Sequence, residues 1–326
     1  MATVRPEHPF LGAQFVAEPR HVETPYAFLG VPYGPPYCPD DLTVSAGAAQ
    51  AVRDQAFAMD YHALSRHHDF DLQGPLFPDG VPSVSDCGDV VGDVRDPDAI
   101  WDQTIRLLRP LAESGRVPLV VGGLDAIPPM VVGAFEGLET LNVLHVDAHV
   151  DFRQELNGIT RGYSSPIRRI VEFDGVDQVV QVGLRSVGSG RPSDVADALA
   201  AGNRLITAWE LRERGVGAVL GELATDGRWV ITIDCDGLDP TIAPGVGWPE
   251  PGGLTYPEIA TLVRGLSRES SVAAVVFTEY QPARDIAHTT AHTIARLLIN
   301  VIGLQRDPQS ALRKSHLGVD AARSTR

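Results

Sequence analysis

Leu141-Asn142-Val143-Leu144-His145-Val146-Asp147-Ala148-His149-Val150-Asp151 decides the fold. Its first six residues are mostly β-branched or aliphatic and nearly continuous in apolarity, the pattern of a strand buried on both faces. Three ionisable residues then follow at spacings of two. Similar apolar runs recur at Ala27–Val31, Leu119–Val121, Gln178–Val182, Trp229–Ile233 and Val272–Phe277. Helical periodicity lies between them at Ala48–Ala56, Asp98–Glu113, Pro129–Gly137, Ser193–Ala201, Tyr256–Arg268 and Thr289–Ile302. Such alternation implies βαβ units: an α/β fold with a parallel sheet and helices on both sides.

In open parallel sheets reactive groups gather beyond the carboxyl ends of the strands, and this chain concentrates its acids there. Asp125 follows one run, Asp147, His149 and Asp151 the next, Asp234 and Asp236 a third, and Glu279 the last. If those strands are neighbours, the acids face one crevice. Crowded carboxylates raise one another's pKa steeply, and divalent cations remove that penalty. Acids with a single imidazole suit Mn²⁺ or a similar borderline-hard ion. The number of acids suggests two ions sharing a nucleophile. A lone Asp-x-His-x-Asp reads first as a polar strand end or helix cap, and a lone Asp-x-Asp before Gly237-Leu238-Asp239-Pro240 as an ordinary turn. Their joint occurrence at strand ends makes coincidence a poor explanation.

Composition bounds the rest. The 326 residues are 44% hydrophobic and 21% charged, as in a globular chain. The net charge of −15 argues against nucleic acid as a partner and is compatible with a cationic substrate. No apolar run is long enough to cross a bilayer, and Met1 to Gln14 does not read as a secretory signal. Three cysteines, Cys38, Cys87 and Cys235, make no disulfide framework, so a cytoplasmic location is expected. Residues 1–25 read as an N-terminal arm, 26–305 as a catalytic domain and 306–326 as a polar tail. Cys87, His67 and His68 fall in expected loops. His145 reads as a satisfied core histidine, and His288 and His292 as structural. Cys235 points away from its acidic neighbours by strand alternation.

The chain resembles the ureohydrolase family of arginases and agmatinases. Asp147-Ala148-His149-Val150-Asp151 is similar to that family's Asp-Ala-His-x-Asp. Thr232-Ile233-Asp234-Cys235-Asp236-Gly237-Leu238-Asp239-Pro240 is similar to its Ser-x-Asp-x-Asp-x-x-Asp-Pro. Glu279 and Pro282 resemble its Glu-x-Asn-Pro, with Gln281 for Asn. Weaker matches are Leu29-Gly30-Val31-Pro32, Asp86-Cys87-Gly88-Asp89 and Gly183-Leu184-Arg185-Ser186.

The resemblance implies a three-layer α/β/α fold around a mainly parallel sheet (arginase-like), assembled as a homotrimer or homohexamer. It implies two Mn²⁺ ions per chain. Asp147, Asp151 and Asp234 would hold the first ion, and His149, Asp147, Asp234 and Asp236 the second, with Asp147 and Asp234 bridging. Glu279 would sit beside the guanidinium of a small guanidino substrate, which is cleaved to urea and an amine. An alternative is a divergent member with an altered or lost metal site, acting on another amidine or formimidoyl substrate or serving as a non-catalytic subunit.

Two departures stand out. Gly122-Gly123-Leu124-Asp125-Ala126 replaces the family's Gly-Gly-Asp-His-Ser, so Asp125 stands where the remaining ligand of the first ion, a histidine, is expected. Arg161-Gly162 stands where agmatinase-like sequences carry a proton-shuttling His-Gly. Arginine cannot shuttle a proton, but it can bind a substrate carboxylate or hold Glu279; it reads equally as a solvent-facing loop residue. The candidate catalytic residues are therefore Glu279, Asp147 and Arg161. The candidate ligands are Asp125, Asp147, His149, Asp151, Asp234 and Asp236.

Overall fold

The computed structural model describes residues 3–38, 44–61, 63–77, 80, 84–93, 95–187, 190–269 and 271–304. The expected tail at 306–326 lies outside them. The strands are β1 (Thr3–Val4), β2 (Gln14–Phe15), β3 (Tyr26–Val31), β4 (His68–Asp69), β5 (Gly74–Pro75), β6 (Val84–Val90) and β7 (Val117–Gly122). They continue with β8 (Leu141–Val146), β9 (Val176–Leu184), β10 (Arg204–Thr207), β11 (Arg228–Asp234) and β12 (Ser271–Thr278). The helices are α1 (Ala48–Ala58), α2 (Pro97–Glu113), α3 (Pro128–Gly133), α4 (Pro166–Ile170), α5 (Pro192–Ala200), α6 (Ala208–Arg214), α7 (Val216–Leu220), α8 (Tyr256–Glu269) and α9 (Thr289–Leu304).

Ten strands form one sheet in the order β1-β6-β3-β7-β12-β11-β8-β9-β10, with β2 also on β6. β1 joins it antiparallel and the other pairs are parallel. β4 and β5 make a separate hairpin. Alternation along the strands divides the core in two. Leu144, Val146, Ile231 and Ile233 pack with α1, α6, α7, α8 and α9 on one face. Val120, Val143 and Val230 pack with α2, α3, α4 and α5 on the other. The result is the expected three layers.

Three sequence expectations need correction. The N-terminal segment is not a separate arm among the described residues. β1 and β2 pair with β6, Phe10 is fully buried and its N–H donates to Asp86 Oδ2 at 2.7 Å. Cys87 lies in β6 rather than in a loop, and its burial pushes the thiol up to about 12. His68 belongs to β4. The polar run Val84-Ser85-Asp86-Cys87-Gly88-Asp89-Val90 conceals a buried strand because Arg53 of α1 neutralises it. Nε and Nη2 of Arg53 grip the two oxygens of Asp86 at 2.8 and 3.0 Å, and Nη1 reaches Asp89 at 2.6 Å. Among the described residues, no helix is long and apolar enough to cross a membrane.

Candidate metal centre

β7, β12, β11 and β8 are consecutive in the sheet. Their carboxyl ends bring Asp125, Glu279, Asp234, Asp236, Asp147, His149 and Asp151 to one place, as the strand reading required. Each acidic motif folds locally for the same reason. Asp147 Oδ1 accepts the His149 N–H at 2.7 Å, and Asp234 Oδ1 accepts the Asp236 N–H at 2.8 Å. A side chain that accepts from two residues on turns the chain sharply at the strand end. The spacing Asp-x-His or Asp-x-Asp therefore puts two ligand-type side chains on one small turn. The two turns also touch, since Ala148 N–H approaches Asp236 Oδ1 at 3.4 Å. Gly237 permits this approach: a Cβ there would lie 2.6 Å from Asp147 N.

Three groups of potential ligand atoms fall within 4.8 Å of one another: Asp125, His145 and Asp147; Asp147, His149 and Asp151; and Asp147, Asp234 and Asp236. Asp147 belongs to all three. The aspartates of these groups are buried, and His149 is the partly exposed member. Its Nδ1 lies 3.3 Å from Asp147 Oδ1 and 3.4 Å from Asp236 Oδ2.

Glu279 is anchored from the turn that follows β7. Its N–H donates to Gly123 O at 2.8 Å, and its Oε1 accepts the Asp125 N–H at 2.9 Å. Glu279 and Asp151 hold left-handed backbone, with φ of 59° and 41°. Such strain in non-glycine residues costs about 1–3 kcal/mol each and clusters at functional sites. Arg185 secures the rim. Its buried guanidinium donates to Asp236 O at 2.6 Å, Glu250 O at 2.8 Å and Gly183 O at 3.1 Å, tying the Asp236 turn to the 250 loop.

Burial, and then the neighbouring acids, hold Asp147 and Asp234 well above the ordinary carboxylate range. Burial also raises Glu279, partly offset by the Asp125 N–H. Asp147 Oδ2 is buried without a hydrogen bond, although His145 Nε2 stands 3.3 Å away. An orphaned carboxylate oxygen among several acids and one partly exposed imidazole fits a divalent cation of borderline hardness.

The match to the arginase family model spans residues 30–303. The chain belongs to the arginase family. It is 35% identical over 292 residues to a guanidinopropionase of Pseudomonas aeruginosa, with 85% of each chain covered. It is 31% identical over 216 residues to an agmatinase of Bacillus subtilis, covering 65% of this chain and 72% of that one. A proclavaminate amidino hydrolase from Streptomyces clavuligerus has the same fold, with a TM-score of 0.77 at 23% identity and coverage of 93% and 98%.

Within this arginase-family framework, Arg161 sits at the surface against α2. Its Nη1 pairs with Asp98 Oδ1 at 2.9 Å, and its guanidinium lies 4.5 Å from the centre of the Trp101 ring. Both partners belong to the start of α2, and the side chain remains 43% exposed. A charged pair and an aromatic face hold it there, rather than Glu279 or a place among the acids. Arg161→Ala is expected to change kcat/KM by less than about threefold, as for a surface residue. Steady-state kinetics checks this. Tyr163 packs on Tyr37, with ring centres 4.4 Å apart, and Trp248 is exposed.

His145 is the site residue that sequence reading assigned to the core. It is fully buried, but its Nε2 faces Asp125 Oδ2 at 3.2 Å. Its position two residues before Asp147 was a usable signal, because period-2 alternation puts both side chains on one face.

Proposed function

We propose that this chain is a divalent-metal-dependent amidinohydrolase, with Mn²⁺ the preferred ion and two ions per chain. It cleaves the guanidino C–N bond of a small linear guanidino compound, agmatine-like in size, to urea and an amine. The observation that carries this reading is Asp147, common to all three clusters of potential ligand atoms and carrying a buried unpaired oxygen. Asp147, His149, Asp151, Asp234 and Asp236, with Asp125 in place of the family histidine, would hold the ions. Divalent cations there would supply Lewis-acid charge and lower the pKa of water, which is what hydrolysis of an amidine carbon needs.

The chain's own groups do the rest. Glu279, fixed by the Asp125 N–H, presents a carboxylate to the guanidinium and aligns the carbon to be attacked. The buried acids favour a cationic substrate over a neutral one, and the net charge of −15 steers it inward. Names of relatives such as guanidinopropionase and agmatinase support the guanidino class. The family resemblance further supports a trimer or hexamer, which light scattering tests.

The direct experiment is urea release from agmatine, 3-guanidinopropionate, 4-guanidinobutyrate and arginine with added Mn²⁺. Turnover on at least one is expected. None on any, with two ions per chain confirmed, contradicts the proposal.

A further inference from the structure

A buried polar row runs across the centre of the sheet. Thr232 of β11, His145 of β8 and Gln181 of β9 are register partners on successive strands. All three are fully buried, a costly place for polar groups unless each has a task or a partner.

The hydrogen bonds fix how the row is oriented. Gln181 Nε2 lies 2.8 Å from the Val150 carbonyl oxygen, which can only accept. The Gln181 amide nitrogen therefore faces Val150, and Oε1 is left to accept from Asn203 Nδ2 at 3.3 Å. The same Nε2 is 3.4 Å from His145 Nδ1. Facing an N–H, Nδ1 must hold a lone pair, so the ring proton sits on Nε2. Nε2 points at Asp125 Oδ2, 3.2 Å away, and stands 3.3 Å from Asp147 Oδ2. The other oxygen of Asp125 accepts from the Thr278 hydroxyl at 2.5 Å.

We infer that His145 is a positioning residue and not a metal ligand. Gln181 locks it as the Nε2–H tautomer, and with Thr278 it clamps Asp125, the residue that replaces the family histidine. The group Asp125, His145 and Asp147 is then two acids and a donor, not three ligands. Each Asp125 oxygen keeps a lone pair for a cation, and the carboxylate cannot swing away. Outer partners of this kind typically change metal affinity by about 10–100-fold when removed. The inference rests on the proposed metal-dependent function only for Asp125's task; the tautomer is a property of the metal-free chain.

The test uses full-length protein with ¹⁵N-labelled histidine, first stripped of metal and then loaded with ¹¹³Cd²⁺. In the metal-free spectrum His145 is expected to show a protonated, pyrrole-type Nε2 and a pyridine-type Nδ1. With ¹¹³Cd²⁺, splitting is expected on His149 and not on His145. His145→Gln keeps an N–H near the Nε2 position and should retain Mn²⁺ affinity within about tenfold. His145→Leu and Thr278→Val should weaken it by about 10–100-fold. Gln181→Leu should weaken the tautomer preference, leaving only the carboxylates of Asp125 and Asp147 to favour a proton on Nε2. A protonated Nδ1 in the metal-free wild type, or ¹¹³Cd splitting on His145, overturns the inference. The metal-free spectrum tests the tautomer without any metal, so a chain that binds no Cd²⁺ at any histidine would overturn the proposed function separately.

Discussion

Asp147→Asn is expected to lower kcat/KM by on the order of 10³-fold or more, about 4 kcal/mol of barrier, while making the metal-free protein more stable. The two effects have one cause. Asp147 is fully buried, common to all three clusters of potential ligand atoms and hemmed in by Asp125, Asp151, Asp234 and Asp236. With cations its charge is needed; without them it is a liability. The amide keeps an acceptor for the His149 N–H but carries no charge. Removing that repulsion should raise the metal-free melting midpoint by roughly 2–6 °C. Calorimetry with and without chelator, beside steady-state kinetics, measures both.

The pH dependence follows from the same groups. Asp147, Asp234 and Glu279 are held above their ordinary values in the folded chain. A carboxyl with a raised folded pKa binds protons more readily folded than unfolded. Its contribution to stability is therefore greatest in acid and declines as pH rises from the unfolded value, about 4, through the folded one. The metal-free protein should lose stability over that window. Mn²⁺ should reverse the trend, because its ligands must be deprotonated and its binding strengthens as pH rises. Melting midpoints across pH, in chelator and in excess Mn²⁺, should diverge; parallel curves would count against a metal site.

Arg53→Met should destabilise the fold by about 3–5 kcal/mol, with no loss of turnover at temperatures where the variant stays folded. Arg53 and Asp86 are fully buried. Besides the guanidinium, Asp86 accepts the N–H groups of Phe10 and Gly88. Arg53 also stacks over Phe28, its guanidinium carbon 4.6 Å from the ring centre. Removing it leaves Asp86 charged in the core and Asp89 without its 2.6 Å partner, which costs more than the pair itself contributes. Pairing Arg53→Met with Asp86→Asn should recover part of the loss. Urea midpoints of the single and double variants measure this coupling.

What the sequence disclosed follows burial and periodicity. Central strands such as β8 and β11, buried on both faces and mostly apolar, were legible as continuous runs. So was the cluster, because each acid lies at or just beyond the carboxyl end of a strand and parallel topology alone brings strand ends together. β6 was hidden: Asp86 and Asp89 read as a loop until Arg53, more than thirty residues away, supplies their counter-charge. β10 was hidden by its brevity at the sheet edge. Arg161 could not be placed by motif alignment, because Trp101 and Asp98 compete for its guanidinium from α2. His145 was assigned to the core correctly as to burial, but its partners lie across strands that only the register reveals.

The most direct test is anomalous diffraction from crystals grown in excess Mn²⁺. Two peaks flanking Asp147 and Asp234, one of them in reach of Asp125, are the expected result. A well-ordered pocket with water alone between those carboxylates would contradict the account.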